Sequence, residues 1–342
     1  MTTLEPEPER EPEAVHEHED EHATATGTAP PVRILIINPN TSQHMTDALG
    51  PVVDSLRLPS TQYTFFTCPS PGIPSINSPA DAAESARICL PHVIPLLDRH
   101  DCVLVACYSQ HPLVAQLKSE CAKLERTRRK ELHAHGHAHA HADAHDRQSR
   151  KYVTGIFEAS VLASLGLIDK SGDEASSATA AALFGIVSTG KIWETALQRA
   201  VEEFIGVDVD VDVDVDGQPP RPRRVFVGCE TTGLNASELH DLDGAEVRAK
   251  MMDATKRLLR KGGKKKKKSD GDGGDGDGDG DGRSISRVQA ICLGCAGMVG
   301  LDDAVRTACV EELGDEAGKA VYIVDGVKAG VGLLYGLAKG GF

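Results

Sequence analysis

The stretch Asp101-Cys-Val-Leu-Val-Ala-Cys-Tyr-Ser109 decides the fold together with its counterpart Val288-Gln-Ala-Ile-Cys-Leu-Gly-Cys-Ala-Gly-Met298. In each stretch a short apolar run, with the composition of a strand, leads to Cys107 or Cys295. Small or polar residues that can open a helix follow at once. Such strand-to-helix turns are typical of parallel α/β sheets, which bind ligands at the carboxyl ends of their strands. Both cysteines are therefore predicted at ligand-binding strand ends.

The alternation of strand and helix continues outward from these stretches. Further strands are predicted from apolar, β-branched runs at 32–38, 63–67, 102–106, 183–187 and 320–324, and from position 152. Helices are predicted at 80–97, 192–204 and 302–313, from Pro112, and in a Gly-rich segment ending at Leu337. This order indicates an α/β fold with parallel sheets.

A weak internal duplication indicates two similar halves. A strand, a Thr-bearing turn and a helix occur at 36–49 and again at 185–197, and each set precedes its own strand-end cysteine. We therefore predict two pseudo-symmetric parallel-sheet α/β lobes, with the active site between them and one cysteine from each. The predicted boundaries are 32–132 for the first lobe, 151–319 for the second, and 320–342 for a closing strand and helix.

Four segments have a biased composition and are predicted to lie outside the core. Residues 1–31 form an acidic, Pro-rich tail that is expected to be disordered, because it has too few apolar side chains to offset the entropy of ordering. The others are a His-rich insert at 133–150 and low-complexity inserts at 207–223 and 261–283. The His-rich tract could chelate Zn²⁺ or Ni²⁺ without a folded site but is expected to be a solvated insert, and the Asp-Gly tract has Ser286 where a calcium loop carries Glu, so no metal site is predicted.

Charge and cysteine content exclude several classes of protein. The net charge of −14 lies largely in the biased segments and indicates neither a nucleic-acid partner nor a membrane surface. Nine irregularly spaced cysteines, with no apolar secretory segment behind the first Met, do not form a disulfide framework. No apolar run reaches membrane-spanning length. We expect a cytoplasmic protein with a small-molecule substrate, and a homo-oligomer is compatible with the sequence.

Six motifs in the same order resemble the hydantoin racemase branch of the cofactor-independent Asp/Glu racemase superfamily. They are Ile37-Asn-Pro-Asn-Thr-Ser42, Ala106-Cys-Tyr-Ser109 with His111-Pro-Leu113, Gly155-Ile-Phe-Glu-Ala-Ser160, Phe184-Gly-Ile-Val-Ser-Thr189, Leu293-Gly-Cys-Ala-Gly-Met298 and Val324-Asp-Gly-Val327. The form around Cys107 is most similar to a fungal subgroup associated with allantoin and nitrogen catabolism. The resemblance spans residues 33 to about 338 apart from the biased tracts.

The resemblance implies racemisation by two bases without a cofactor. Cys107 or Cys295, as thiolate, would remove a proton next to a carbonyl, and the other thiol would return one to the opposite face. Strand-end, helix-start positions are expected to lower both pKa values toward working pH. The predicted substrate-binding residues provide backbone N–H groups, hydroxyls or side-chain amides for the ring and its oxyanion: Asn38, Asn40, Thr41, Ser109, Ser188, Thr189, Ala296 and Gly297.

One departure from the family pattern leaves the substrate open. Ser109-Gln-His-Pro112 stands where hydantoin racemases usually carry Gly-Asp-Pro, so a carboxylate is replaced by the neutral Gln110 and by His111. The favoured substrate is a 5-substituted hydantoin such as allantoin. One alternative is an open-chain amino or dicarboxylic acid, racemised or isomerised on the same fold. The other is a non-catalytic protein that senses a metabolite or acts as a scaffold.

Overall fold

Two four-stranded parallel sheets form the framework of the computed structural model, which describes residues 30–134, 150–169, 182–206, 225–263 and 286–342. The first sheet has the order β2-β1-β3-β4 and the second the order β6-β5-β7-β8, so the second repeats the first. The strands are β1 (Val32–Asn38), β2 (Thr61–Thr67), β3 (Cys102–Val105), β4 (Tyr152–Gly155), β5 (Leu183–Ser188), β6 (Phe226–Thr231), β7 (Val288–Gly294) and β8 (Tyr322–Asp325). The predicted α/β fold with two similar halves is confirmed.

Helices follow the strands within each half. In chain order, the described helices are α1 (Gln43–Asp47), α2 (Leu49–Asp54), α3 (Pro79–Val93), α4 (Pro112–Ala134), α5 (Ile156–Leu167), α6 (Ile192–Ile205), α7 (Glu238–Asp241), α8 (Gly244–Lys261), α9 (Asp302–Leu313), α10 (Asp315–Ala320) and α11 (Gly326–Gly340). Two 3₁₀ helices cover Ile94–Arg99 and Ala296–Met298. Among these helices, none combines the length and apolarity needed to cross a membrane.

The central strands are apolar because helices cover both of their faces. All four residues of β3 are buried, as are all six residues of β5. Helix α5 contacts strands of both sheets, and α11 packs on β1, β3 and β4. One hydrophobic cluster contains Leu104 of the first sheet, Phe157 of α5 and Phe184 of the second sheet. The two halves therefore share a continuous core, which fixes their strand ends relative to each other.

Some elements differ from the sequence prediction. Strand β4 pairs with β3 in the first sheet, although the predicted boundary assigns residues from 151 onward to the second lobe. Residues Ala320 and Val321, predicted to begin a strand, close α10 and precede β8. Strand β6 and helix α8 are not predicted at all, because β6 ends in polar residues and α8 exposes a long charged face.

The predictions for the biased segments fall almost wholly on residues that the structure does not describe. These are the disordered tail at 1–31, the His-rich insert at 133–150, and the low-complexity inserts at 207–223 and 261–283.

Candidate active site

A pocket lies where the carboxyl ends of the two sheets meet. Every residue that lines it follows a strand or ends one: Asn40, Met45, Ile76, Ala106, Cys107, Tyr108, Thr189, Trp193, Ala236, Gly294, Cys295 and Ala296. Its cavity volume is about 30 Å³, measured as the space open to the centre of a water molecule. Both cysteines lie on its wall, one from each half.

Cys107 follows β3 in a tight loop that leads to α4. The loop is closed by short backbone hydrogen bonds, from the Ser109 N–H to the Cys107 carbonyl at 3.0 Å and from the His111 N–H to the Ser109 carbonyl at 2.7 Å. The Cys107 thiol is half-buried, and its Sγ lies 3.6 Å from the Ser109 hydroxyl. Ser109 is therefore in contact with the thiol, although it lies outside the pocket lining.

Cys295 occupies the equivalent position after β7. Its thiol is also half-buried and accepts a hydrogen bond from the Gly297 N–H at 3.3 Å, which starts the 3₁₀ turn Ala296–Met298. A hydrogen bond to sulfur favours the thiolate. The Gly297 N–H, predicted to stabilise a substrate oxyanion, is thus directed at the thiol, whereas Ala296 lines the pocket.

The expectation that the two thiols have lowered pKa values is wrong. Burial raises the pKa of Cys107 to about 12, against the opposing effect of the Ser109 hydrogen bond, and negative charge on Cys295 or Glu158 raises it further. Burial raises the pKa of Cys295 to about 11, opposed by the Gly297 N–H. Helix α4 begins only at Pro112, so Cys107 does not lie in the first turn of that helix, where a thiol pKa is lowered.

The turn after β1 places Asn40 in the pocket, and hydrogen bonds of the Asn38 side chain stabilise that turn. The Asn38 side chain donates to the Ser42 carbonyl at 2.9 Å and to the Thr46 hydroxyl at 3.0 Å, and accepts from the Asn40 N–H at 3.3 Å. Both of its N–H groups are engaged and Asn38 does not line the pocket, so Asn38 supports the turn. The Asn40 amide accepts from Ser42 and donates to Met45 Sδ, which leaves its second N–H for a ligand.

The remaining predicted binding residues divide between the pocket and its supports. Thr189 lines the pocket. Ser188 is buried behind it, with its hydroxyl donating to the Gly294 carbonyl at 2.8 Å across β5 and β7. The Thr41 N–H donates to the Ile73 carbonyl, so that turn holds the loop that carries Ile76 to the pocket. Of the eight predicted binding residues, Asn40, Thr189 and Ala296 line the pocket.

The departure at 110 and 111 places no charge in the pocket. Gln110 is exposed and hydrogen-bonds to Glu203 of α6. His111 is buried, its Nδ1 accepts from the Leu113 N–H at 3.3 Å, and burial lowers its pKa to about 4. His111 is therefore neutral at pH 7 and lies directly before α4.

Sequence reasoning missed the apolar wall of the pocket. Met45, Ile76, Trp193 and Ala236 come from four segments that follow four different strands. The helix positions of Met45 and Trp193 resemble ordinary core positions, so no local signal separates a pocket wall from a packed core. None of the described residues that line the pocket carries a charged side chain at neutral pH.

Comparisons with known proteins agree with this arrangement. The sequence model for the family described as "Asp/Glu/Hydantoin racemase" matches residues 34–123. The chain is 27% identical to "Uncharacterized protein C1F7.10" of Schizosaccharomyces pombe over 308 residues, which cover 90% of this chain and 92% of that protein. It is 34% identical to "Protein DCG1" of Saccharomyces cerevisiae over 98 residues, which cover 27% of this chain and 40% of that protein.

Solved structures share the fold. The allantoin racemase from Klebsiella pneumoniae has a TM-score of 0.56 and 21% identity, with coverage of 91% of this chain and 89% of that one. The allantoin racemase AllR from Pseudomonas fluorescens also has a TM-score of 0.56, with 18% identity and coverage of 91% and 92%. At these identities the likeness establishes the fold. Together with the family match, it confirms the predicted resemblance: residues 34–123 are similar to the Asp/Glu/hydantoin racemases, and the whole chain shares the fold of the two allantoin racemases.

Proposed function

We propose that this protein is a cofactor-independent racemase of 5-substituted hydantoins such as allantoin. One observation carries the proposal: two half-buried thiols, one from each half of the fold, line a single pocket without charged residues. Two acid-base groups from opposite sides of a pocket suit a reaction that removes a proton from one face of a carbon and returns it to the other.

In the proposed reaction, the thiolate of one cysteine takes the proton at C5 of the hydantoin ring. The electron pair moves into the adjacent carbonyl as an enolate, and the second cysteine donates its S–H proton to the opposite face of C5. The Asn40 amide and the Ala296 N–H are the proposed donors to the ring and its oxyanion, with the Thr189 hydroxyl beside them. The thiol and thiolate have then exchanged roles, and the enantiomer leaves.

The raised pKa values are compatible with this chemistry. A thiolate formed in a desolvated pocket is a strong base, and C5–H of a hydantoin is a weak acid. The cost is that little of either cysteine is ionised at neutral pH. The Ser109 hydroxyl at Cys107 and the Gly297 N–H at Cys295 partly offset that cost, because each stabilises a thiolate.

The neutral lining favours a ring over an open-chain acid. An amino acid or a dicarboxylate would bring one or two carboxylates into the pocket, and a buried carboxylate needs a paired charge or several hydrogen bonds. The described lining has no Arg, Lys or His to supply the charge. A hydantoin enters uncharged. A non-catalytic sensor could bind its ligand without any thiol. The presence of one thiol on each wall of the pocket therefore favours an enzyme.

The test uses single enantiomers of allantoin and of 5-alkylhydantoins in D₂O, with optical rotation and deuterium at C5 followed together. We expect loss of rotation with deuterium incorporation, and loss of inversion in both Cys107→Ser and Cys295→Ser. Cys121→Ala, on α4 away from the pocket, is the matched control and should keep full activity. An inactive wild-type protein, folded and reduced, would overturn the hydantoin assignment, as would full inversion in either serine variant.

A further inference from the structure

A small group of buried polar side chains connects the segments that carry the two cysteines. The group consists of Tyr108, Ser160, Ser164 and Cys292. Tyr108 directly follows Cys107, and Cys292 lies three residues before Cys295 on β7. Both serines belong to α5, the helix that contacts strands of both sheets. The two serines are one helical turn apart, so they share a face of α5.

The distances between these side chains define a continuous set of hydrogen bonds. The Tyr108 hydroxyl lies 2.7 Å from the Ser160 hydroxyl, and the Ser160 hydroxyl donates to the Phe157 carbonyl at 2.9 Å. Ser160 has only one hydroxyl proton, so Tyr108 must be the donor to Ser160. The Cys292 thiol donates to the Ser160 carbonyl at 3.8 Å, and its Sγ lies 3.1 Å from the Ser164 hydroxyl.

These four polar side chains are buried among apolar residues of the core. Ser160, Ser164 and Cys292 have no exposed surface, and Tyr108 is 5% exposed. Phe157 packs against Tyr108 edge to face, with ring centroids 5.8 Å apart. Burying hydroxyl groups costs free energy unless each finds a partner in a defined geometry. Apolar residues would fill the same space, whereas satisfied polar groups specify one arrangement of the elements that carry them.

We propose that Tyr108, Ser160, Ser164 and Cys292 form a positioning network that holds the Cys107 loop and the Cys295 strand end in register across the pocket. The proposal rests on the proposed two-thiol racemisation. Tyr108 binds the Cys107 loop to α5, and Cys292 binds β7 to α5. The segments that carry the two thiols are therefore both held by the same helix. Inversion needs both thiols aligned on one carbon, whereas proton removal needs one. The network therefore acts on the transfer of a proton to the second face.

The primary test is the ratio of hydrogen exchange to inversion. In wild-type protein, a substrate carbanion is captured by the opposite thiol, so deuterium appears mainly in the inverted product. In Tyr108→Phe the opposite thiol is misplaced, so the carbanion lives longer, the S–H of the first thiol exchanges with D₂O, and more of the carbanion is deuterated by that same thiol on the original face. We expect kcat to fall about tenfold, with a KM changed less than about twofold. Deuterium in the recovered starting enantiomer should rise relative to inversion.

Two further variants separate positioning from folding. Tyr152→Phe is the matched control, because it removes a phenol hydroxyl that donates to the Phe342 carbonyl at 2.7 Å, remote from the pocket. It should leave the ratio unchanged. Cys292→Ala breaks the network at its other end and should reproduce the Tyr108→Phe ratio. A loss of folded protein alone lowers exchange and inversion equally, so it cannot produce this signature.

A readout that does not require turnover keeps the inference separate from the proposed function. Dibromobimane crosslinks two thiols that lie close together, and mass spectrometry distinguishes the Cys107–Cys295 crosslink from single alkylation. The crosslinked fraction should fall severalfold in Tyr108→Phe and stay constant in Tyr152→Phe. If wild-type protein does not racemise hydantoins but shows this difference, the positioning inference stands and the proposed function fails. An unchanged crosslinked fraction together with an unchanged exchange ratio would overturn the positioning inference.

Discussion

Raising the pH from 7 to 10 should strongly destabilise this protein through its buried thiols. Burial raises the pKa of all nine cysteines: Cys68, Cys89, Cys102, Cys107, Cys121, Cys229, Cys292, Cys295 and Cys309. Above pH 8.5 or so the unfolded chain loses thiol protons that the folded chain keeps. The unfolded state then binds fewer protons than the folded state, so stability falls as the pH rises. The stabilisation is complete below the unfolded pKa and is lost toward the folded pKa.

The magnitude follows from the five thiols whose pKa is raised to about 11 or 12. The pKa is raised to about 12 for Cys102, Cys107 and Cys309, and to about 11 for Cys121 and Cys295. Between pH 7 and 10, each such thiol should lower the free energy of unfolding by about 1 to 2 kcal/mol. Together they remove about 5 to 10 kcal/mol, comparable to the whole stability of an ordinary domain.

The assay is urea unfolding at pH 7, 8, 9 and 10 under reducing conditions. The single tryptophan, Trp193, is buried, so its fluorescence reports the transition. Burial lowers the pKa of Lys151, which opposes the trend, but it is one group against nine. Cys309→Ala is the control, and its loss of stability between pH 7 and 10 should be about 1 to 2 kcal/mol smaller than that of wild type. A free energy of unfolding that is constant from pH 7 to 10 would refute the reasoning.

Three further predictions concern the reaction and the core. Racemisation should rise about tenfold per pH unit between pH 6.5 and 8.5, because the thiolate is a minor species below its raised pKa; a plateau in the pH–rate profile within that range would contradict this. Gly294→Ala should destabilise the protein by about 1 to 3 kcal/mol in urea unfolding, because the added Cβ would lie 2.8 Å from the Val187 carbonyl oxygen. Gly50→Ala is the control and should not destabilise it, because open space surrounds that position. Tyr63→Phe should leave stability unchanged or raise it, measured in the same way, because the buried Tyr63 hydroxyl has no partner among the described residues.

The proposed substrate and the raised thiol pKa values have a common structural origin. The pocket is closed by apolar side chains from both halves, including Met45, Ile76 and Trp193. The same desolvation that suppresses the thiolate also disfavours a charged ligand. A neutral ring that becomes negatively charged only in the transition state suits such a site, because it loses little hydration free energy on entering.

Local signals in the sequence were sufficient for every strand except β6 and for the strand-end positions of the two cysteines. A buried parallel strand requires a continuous apolar run, and Cys102–Val105 and Val288–Gly294 show such runs directly. The residue after such a strand lies at the ligand-binding edge by the geometry of the parallel sheet, so Cys107 and Cys295 could be identified without contacts. The boundaries of α9 were predicted correctly from residues 302–313 for the same local reason.

Non-local contacts decided what local patterns could not. Strand β4 belongs to the first sheet because it pairs with β3, more than 40 positions earlier in the chain. The residues of β4 alone do not indicate which sheet it joins. Asn38 and Asn40 lie two positions apart in one motif, yet hydrogen bonds within the turn occupy Asn38 and leave Asn40 on the pocket.

The sequence by itself determined the α/β class, the duplication of the two halves and the pair of cysteines, because each depends on periodicity and strand-end position along the chain. Only the tertiary structure decided the pKa values of those cysteines, the neutral apolar wall and the network from Tyr108 to Cys292. The physical reason is that desolvation and hydrogen-bond partners are supplied by residues distant in the chain. A strand end can be recognised from its own residues, but the water that a thiol loses depends on everything packed around it.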